Sequence, residues 1–425
     1  MNKIHIAYST DDNFAELTCV SMCSVLRNTK YAVKFYVFET SLSELHKSKI
    51  SKLVSEYTEA ELSVIHINLD ENTYISDTNR GVTKETYVKC LLPELLPDVS
   101  ECIWLDGDTI ADGDISELWN IDLDGNVFAA IEDMNCFTAK RFTILEIDEP
   151  GGYYNTGVMK MDLNALRKIG LSNLVRDKTE DIYNQIKKSN QLWWAEQDMM
   201  NYLLKGRIKE IPVKYNSFIW FVPIRRKPLI EYVEAMARPI VIHFVANKPN
   251  KISREYYYSG ELDKYYYYKR FTPYYTQSDD ERIKRYHEYE NKLLHSLYVP
   301  ETIGAVSYAL RKRLFEIALT HLSNKDKQVV IWGYNGSTAL FRIYLASNNI
   351  DVAAVVDGEH YWENLYACDK EVESPLKYLS HPGEYYMLLF MNNAKVAANI
   401  RSDLLKRGWS TEQIYHINAP LYEEI

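Results

Sequence analysis

Apolar runs rich in β-branched and aromatic residues alternate with helix-patterned segments through the first 245 residues, and this alternation limits the fold more than any other feature. Residues 3–8 read as a short strand; Asp11, Asp12 and Asn13 then cap a helix with apolar positions Phe14, Leu17, Val20 and Val25. Residues 33–38 form a second strand, 42–57 a helix and 62–67 a third strand. Residues 83–95 read as one helix, stopped around Pro93 and Pro97. The run ending at Leu105 is then about the fourth strand, and 127–131 and 157–161 add more. Successive β-α-β units predict an α/β fold, a mostly parallel sheet with helices on both faces. Ligands of such sheets bind beyond the carboxyl ends of the strands, where Asp11, Asn13, Asp106 and Asp108 fall.

The alternation resumes near the end of the chain. A strand at 328–332, the turn Gly333-Tyr334-Asn335-Gly336, a helix at 337–346 and a strand at 352–356 closing on Asp357 resemble the start of a Rossmann-type module. Strands at 385–390 and 413–417 follow, around a helix at 394–407. Only G-x-x-G is present, and Asn335 stands where a second glycine would let a pyrophosphate approach. A structural or interaction role, including self-association into a homo-oligomer, is therefore preferred to nucleotide binding. Residues 276–325 are charged and helix-patterned, with Leu293, Leu297, Leu310 and Leu314. The expected division is 1–275, a helical connector at 276–325, and a smaller Rossmann-like α/β domain at 326–425.

Two domains suit a chain of 425 residues, too long for one ordinary core. The net charge of −10 argues against a nucleic-acid partner, which would need a basic face. The amino terminus has no apolar signal region and no stretch reaches eighteen apolar residues, so the expectation is a soluble, cytoplasmic protein. The six cysteines form no C-x-x-C pair, and Cys19 and Cys23, one helical turn apart, read as buried apolar residues. The 34 tyrosines cluster at Tyr256–Tyr258, Tyr265–Tyr268 and Tyr274–Tyr275, where an amphipathic segment packed on a domain edge is the plainer reading and a sugar-stacking surface the bolder one.

The chemistry concentrates in IWLDGDTI, residues 103–110. An apolar strand ends in Asp106 and Asp108, and Gly107 between them lets the backbone bend. Two carboxylates placed so can turn toward one hard divalent cation. The rival is a haloacid-dehalogenase-type phosphohydrolase, in which Asp106 would be the nucleophile and Asp108 the acid. That pattern is D-x-D-x-[TV] after a first strand, whereas here Ile110 fills the fifth place and several strands precede it, so metal coordination is preferred. His243 ends an apolar strand and is the best candidate for a third ligand, with Lys248 five residues on to neutralise a metal-bound diphosphate.

With AYSTDDNF, TYVKCLLPELLP, WLDGDTI, YYNTGVMKMDL, EQDMMNYLL and IHFVANKPNK in that order, the chain resembles glycosyltransferase family 8 from residue 3 to about 275. That family includes bacterial lipopolysaccharide galactosyl- and glucosyltransferases and glycogenin. The resemblance implies a GT-A fold, a UDP-hexose donor, Mn²⁺ or Mg²⁺, and transfer with retention to a glycan, glycoprotein or lipid-linked acceptor. It implies that Asp106, Asp108 and His243 hold the ion, and that Ser9, Thr10, Asp11 and Asn13 hold uridine. Lys89 would touch the sugar nucleotide, and Asp133, Asn155, Thr156 and Gly157 would line the sugar. Gln197 would lie near the anomeric carbon, with Glu196 or Asp198 steadying the positive charge there or ordering sugar hydroxyls. With no carboxylate placed as a nucleophile, attack on the face that the phosphate leaves is preferred to double displacement.

The chain departs from the family at Glu196, usually Asp, at Lys89, commonly Arg, and at Ala246 and Asn250, for Gly and Trp in a loop one residue shorter. A sugar-nucleotide-binding scaffold that has lost transfer is the non-enzymatic alternative. The tyrosine-rich segment matches the family's final helix, and Lys269 and Arg270 leave room for a weak peripheral contact with a membrane or partner protein.

Overall fold

The computed structural model describes residues 3–69, 74–75, 83–133, 141–147, 152–218, 228–245, 248–250, 261–295, 308–322, 327–334, 338–358, 366–391 and 393–417. Contacts divide the chain into two compact units. One comprises 1–217, 238–251 and 264–276; the other comprises 218–237, 252–263 and 277–425.

In the first unit the β-rich runs become β1 (Ile4–Thr10), β2 (Val33–Glu39), β3 (Ala60–His66) and β4 (Glu101–Leu105). They continue as β5 (Thr109–Ala111), β6 (Phe128–Ala130), β7 (Val158–Asp162), β8 (Ile208–Glu210) and β9 (Val241–His243). Seven of these form a sheet in the order β3-β2-β1-β4-β7-β6-β8, with β7 antiparallel to both of its neighbours. The helices α1 (Ala15–Asn28) and α2 (Glu44–Ser55) connect β1 to β2 and β2 to β3. Because β2 lies on one side of β1 and β4 on the other, the strand order reverses at β1 and opens a crevice at the ends carrying Asp11 and Asp106. The remaining pair, β5 and β9, forms an antiparallel ribbon that sets Thr109 opposite His243.

One apolar core joins Ala7, Phe38, Trp104, Met159 and Met161 of the sheet to Val88, Leu92, Leu166, Val175 and Met199 of the helices. The predicted helix at 83–95 divides into a 3₁₀ turn, Lys84–Tyr87, and α3 (Val88–Leu95). Pro93 lies inside α3 and removes one amide from its ladder, and the helix ends two residues later. Asp11 acts ahead of α1: its Oδ1 accepts from the Phe14 amide at 2.9 Å. Cys19 and Cys23 are buried free thiols. Tyr265, Tyr266, Tyr268 and Tyr274 are buried, as the packed reading expects, while Tyr267 is exposed; Tyr256–Tyr258 lie outside the described residues.

The second unit holds β10 (Gln328–Trp332), β11 (Val352–Val356), β12 (Tyr366–Ala367), β13 (Lys370–Glu373), β14 (Tyr385–Leu389) and β15 (Ile414–His416). The order is β12-β13-β11-β10-β14-β15, parallel throughout except for the β12–β13 pair. At the carboxyl end of β10, Gly333 has φ +119° and passes so close to the Phe390 backbone that no side chain would fit. Asp357 turns onto this bend and accepts from the Tyr334 amide at 2.7 Å. Asn335 and Gly336 lie outside the described residues. The connector contributes the helices Gln277–His295 and Tyr308–His321.

Candidate active site

Asp106 directly follows β4, and its amide donates to the Gly157 carbonyl at 2.7 Å, tying the end of β4 to the start of β7. The Trp104 indole (2.8 Å) and the Lys89 ammonium (3.1 Å) donate to Asp106 Oδ1. Oδ2 lies 4.0 Å from His243 Nε2. Asp108 is buried, with Oδ1 3.5 Å from His243 Nε2 and Oδ2 paired with Lys248. Burial alone would raise the Asp108 carboxyl; Lys248 and His243 outweigh it and hold the group well below its ordinary range.

The β5–β9 register delivers His243 to these carboxylates. Its Nδ1 lies 3.0 Å from Asn216 Oδ1. An amide oxygen only accepts, so Nδ1 donates to Asn216, and Nε2 is the ring atom that faces the aspartates and would ligate an ion. The orientation of Asn216 is fixed in turn, because its Nδ2 donates to Asn155 Oδ1 at 2.8 Å. Asn155 Oδ1 also takes the Gly157 amide, and Asn155 Nδ2 donates to Asp133 Oδ2 at 3.0 Å. Gln197 Nε2 meets the same Asp133 oxygen at 3.0 Å. A continuous run of bonds thus links the imidazole to Gln197.

One ligand atom from each of Asp106, Asp108 and His243 lies within 4.8 Å of the others. Two carboxylate oxygens and an imidazole nitrogen suit Mn²⁺ or Mg²⁺. Gly157 keeps the space clear: a Cβ there would overlap His243 Cε1 and stand 3.0 Å from Asp106 Oδ2. The donor set and its cradle fit such an ion. Gly107 is constrained by space as well, since its backbone avoids the left-handed region and an added Cβ would sit 2.5 Å from Thr18 Oγ1.

Lys89 is 1% exposed and bridges Asp106, the Thr156 carbonyl (3.2 Å) and Glu196 (2.9 Å). Burial works against its charge, but Asp106 and Glu196 more than offset this and raise its pKa. Gln197 is half-buried and its Oε1 accepts from the Thr156 amide at 3.2 Å. Beyond the carboxyl end of β1, Asp11 also accepts from Asn13, which is exposed; Ser9 is half-buried, and Lys248 lies 5.9 Å from the Phe14 ring. Two expected site residues turn inward. The Thr10 hydroxyl is buried against Thr18, and Asp198 has no exposed surface and pairs with Arg141. Asn216, Trp104, Tyr153 and Arg141 were not singled out from the sequence. Only Trp104 carried a local signal, as a polar-tipped aromatic two residues before Asp106.

The seven-stranded sheet, with the carboxylate pair beyond its strand ends and the imidazole on the adjoining ribbon, is an α/β fold of GT-A type, matching solved GT-A structures. The profile of Glycosyl transferase family 8 matches residues 5–251, more than half of the chain, and the chain belongs to that family. General stress protein A of Bacillus subtilis (strain 168) is 24% identical over 280 residues, covering 63% of this chain and 94% of its own. Lipopolysaccharide 1,2-glucosyltransferase of Escherichia coli (strain K12) is 28% identical over 217 residues, covering 50% and 62%. The galactosyltransferase LgtC, solved with donor and acceptor sugar analogues, superposes with a TM-score of 0.53 at 19% identity, over 65% of this chain and 98% of that one. At that identity the likeness is one of fold. Family membership overturns the phosphohydrolase reading of Asp106, which follows the fourth strand and whose Oδ1 is held by Lys89 and Trp104. Among the described residues no helix is long and apolar enough to cross a membrane.

Proposed function

We propose that this chain transfers a hexose, glucose or galactose, from a UDP-sugar to a glycan, glycoprotein or lipid-linked acceptor, with retention of anomeric configuration. The observation that carries this reading is the convergence of Asp106, Asp108 and His243 beside the Asp133–Asn155–Gln197 cluster. When bound there, Mn²⁺ or Mg²⁺ would supply positive charge against the diphosphate of the leaving UDP. Lys248 adds an ammonium on the same side, able to exchange its Asp108 contact for a phosphate oxygen. Asp11, Asn13 and Ser9 provide the polar surface for uridine. Lys89 holds Glu196 near the sugar hydroxyls, and Gln197 presents amide dipole to the carbon that becomes positive. Glu196 is engaged by Lys89, which favours attack by the acceptor on the face the phosphate leaves over a covalent intermediate.

Incubation with Mn²⁺ and a panel of UDP- and GDP-sugars tests the reading by donor hydrolysis. We expect hydrolysis of one UDP-hexose that stops with chelator. Undiminished turnover in chelator would remove the metal assignment. Calorimetric binding of a UDP-sugar without even slow hydrolysis would instead mark a sugar-nucleotide-binding scaffold.

A further inference from the structure

Behind Gln197 lies a buried polar cluster that the transfer chemistry does not itself require. Asp198 is 0% exposed. Its Oδ1 accepts from the Tyr153 hydroxyl at 2.7 Å and faces Arg141 Nε at 2.8 Å. Its Oδ2 accepts from the Trp194 amide at 2.7 Å, at the start of the helix Ala195–Leu203 that carries Gln197. Arg141 is equally buried, donates to the Leu192 carbonyl and lies 4.3 Å from the Trp194 ring. The Tyr153 hydroxyl is also 3.4 Å from Gln197 Nε2.

Direction matters in this cluster. A carboxylate only accepts, so the Tyr153 proton points to Asp198 and a phenolic lone pair is left for Gln197 Nε2. Asp133 Oδ2 also accepts from Nε2, while the Thr156 amide donates to Gln197 Oε1. The carboxamide therefore has its nitrogen on the Asp133–Tyr153 side and its oxygen on the Thr156 side. A flipped amide would oppose acceptor to acceptor and donor to donor. A nucleophile needs open approach to within about 3–3.5 Å of the reacting carbon. Asp198 has both oxygens engaged and no exposed surface.

We propose that Asp198 is a positioning residue rather than a nucleophile: with Arg141 and Tyr153 it fixes the amide orientation of Gln197 beside the reacting sugar. This rests on the glycosyltransferase reading and assigns that site its internal brace. The protonation of Asp198 is read at Gln197 through Tyr153. A protonated Asp198 becomes a donor, reverses the Tyr153 hydroxyl and points a proton at Gln197 Nε2. Burial raises the Asp198 carboxyl to about 6, with Glu196 adding to the rise and Arg141, the Trp194 amide and Tyr153 opposing it. Asp133 also faces Tyr153. The ionised form is thus lost as pH falls through about 6.

The test uses the full chain with Mn²⁺ and whichever UDP-sugar it hydrolyses, in Tyr153→Phe, Asp198→Asn and Gln197→Ala backgrounds. Tyr153→Phe keeps the ring and removes only the bridging hydroxyl. Each of the first two changes is expected to lower kcat about 10- to 100-fold, the scale of about an ångström's misplacement. KM and the calorimetric affinity for UDP should stay within about twofold, the mark of an interaction felt only in the transition state. Neither change should cost more once Gln197 is Ala, and the acid limb near pH 6 should vanish in Asp198→Asn. Three results would overturn the proposal: losses that persist undiminished in Gln197→Ala, losses that follow UDP affinity and melting temperature together, or an inert Asp198→Asn beside an unaffected Tyr153→Phe. If the unaltered chain hydrolyses no UDP-sugar, the transferase reading has failed instead. Crystal structures then decide the brace, and a Gln197 amide unmoved in Tyr153→Phe refutes it.

Discussion

At the scale of single residues, His243 is oriented as a candidate ligand by a partner the chain places 27 residues upstream. Asn216 accepts from Nδ1, and without it that bond no longer selects the tautomer that turns Nε2 toward the aspartates. Asn216→Ala should weaken Mn²⁺ affinity about 10- to 100-fold, as for other groups that orient metal-binding histidines. Titration calorimetry with Mn²⁺ and UDP checks this, and an unchanged affinity would show that the Asn216 bond orients nothing. Gly157→Ala reaches the same cluster by crowding. Its methyl would overlap His243 Cε1 and press on Asp106 Oδ2, so we expect metal binding to fall together with an overpacking loss of about 1–3 kcal/mol in stability, read by calorimetry and denaturant melts. The aspartates and His243 were legible because each ends an apolar strand, where a carboxylate or imidazole is conspicuous. Asn216 and Tyr153 were not, since their roles depend on groups brought close only by the sheet.

Elements show a parallel division. Runs such as 33–38, 328–332 and 352–356 carry enough β-branched residues to be placed within a residue or so of β2, β10 and β11. Three-residue strands such as β5 and β8 have too little pattern of their own and are defined by their partners. The reversed direction of β7 is likewise a pairing property that no local periodicity encodes. The helix α1 illustrates a hidden requirement. Its Thr18, Ser21 and Ser24 are buried, and their hydroxyls reach Thr10, Thr109 and the Ala111 amide. Thr109 in turn donates to the Asp106 carbonyl at 2.8 Å, so this small polar face seats the Asp106–Asp108 turn. Gly107 is needed because Thr18 comes so near. Gly107→Ala should cost about 1–3 kcal/mol by overpacking. Adding Thr18→Ala removes the opposing oxygen, and the double variant should cost about 1 kcal/mol less than the two single losses added. Denaturant melts of the four proteins measure the cycle, and strict additivity would show that the crowding is relieved elsewhere.

For the whole molecule, the two units interleave in sequence. Residues 218–237 fall between stretches of the first unit yet group with the second. Within that second unit the helix Leu229–Ala237 packs against the helix Thr338–Ser347, with Tyr232 and Ala235 buried. A linear reading that ends the catalytic domain at 275 leaves this helix without its cover. Fully burying a large apolar side chain stabilises by roughly 1.5–3 kcal/mol, and the same surface left bare promotes association. A chain ended after Thr276 should therefore associate with rising concentration and melt below the full-length protein. Size-exclusion chromatography with light scattering and thermal melts follow both effects. Replacing Tyr232 by Ser in the shortened chain should reduce the association, because the exposed ring is its source. A shortened chain that stays monodisperse and melts as the full chain does would mean that the helix needs no partner from the second unit. The donor site would then stand on residues 1–276 alone, and the second sheet would be free to serve another purpose.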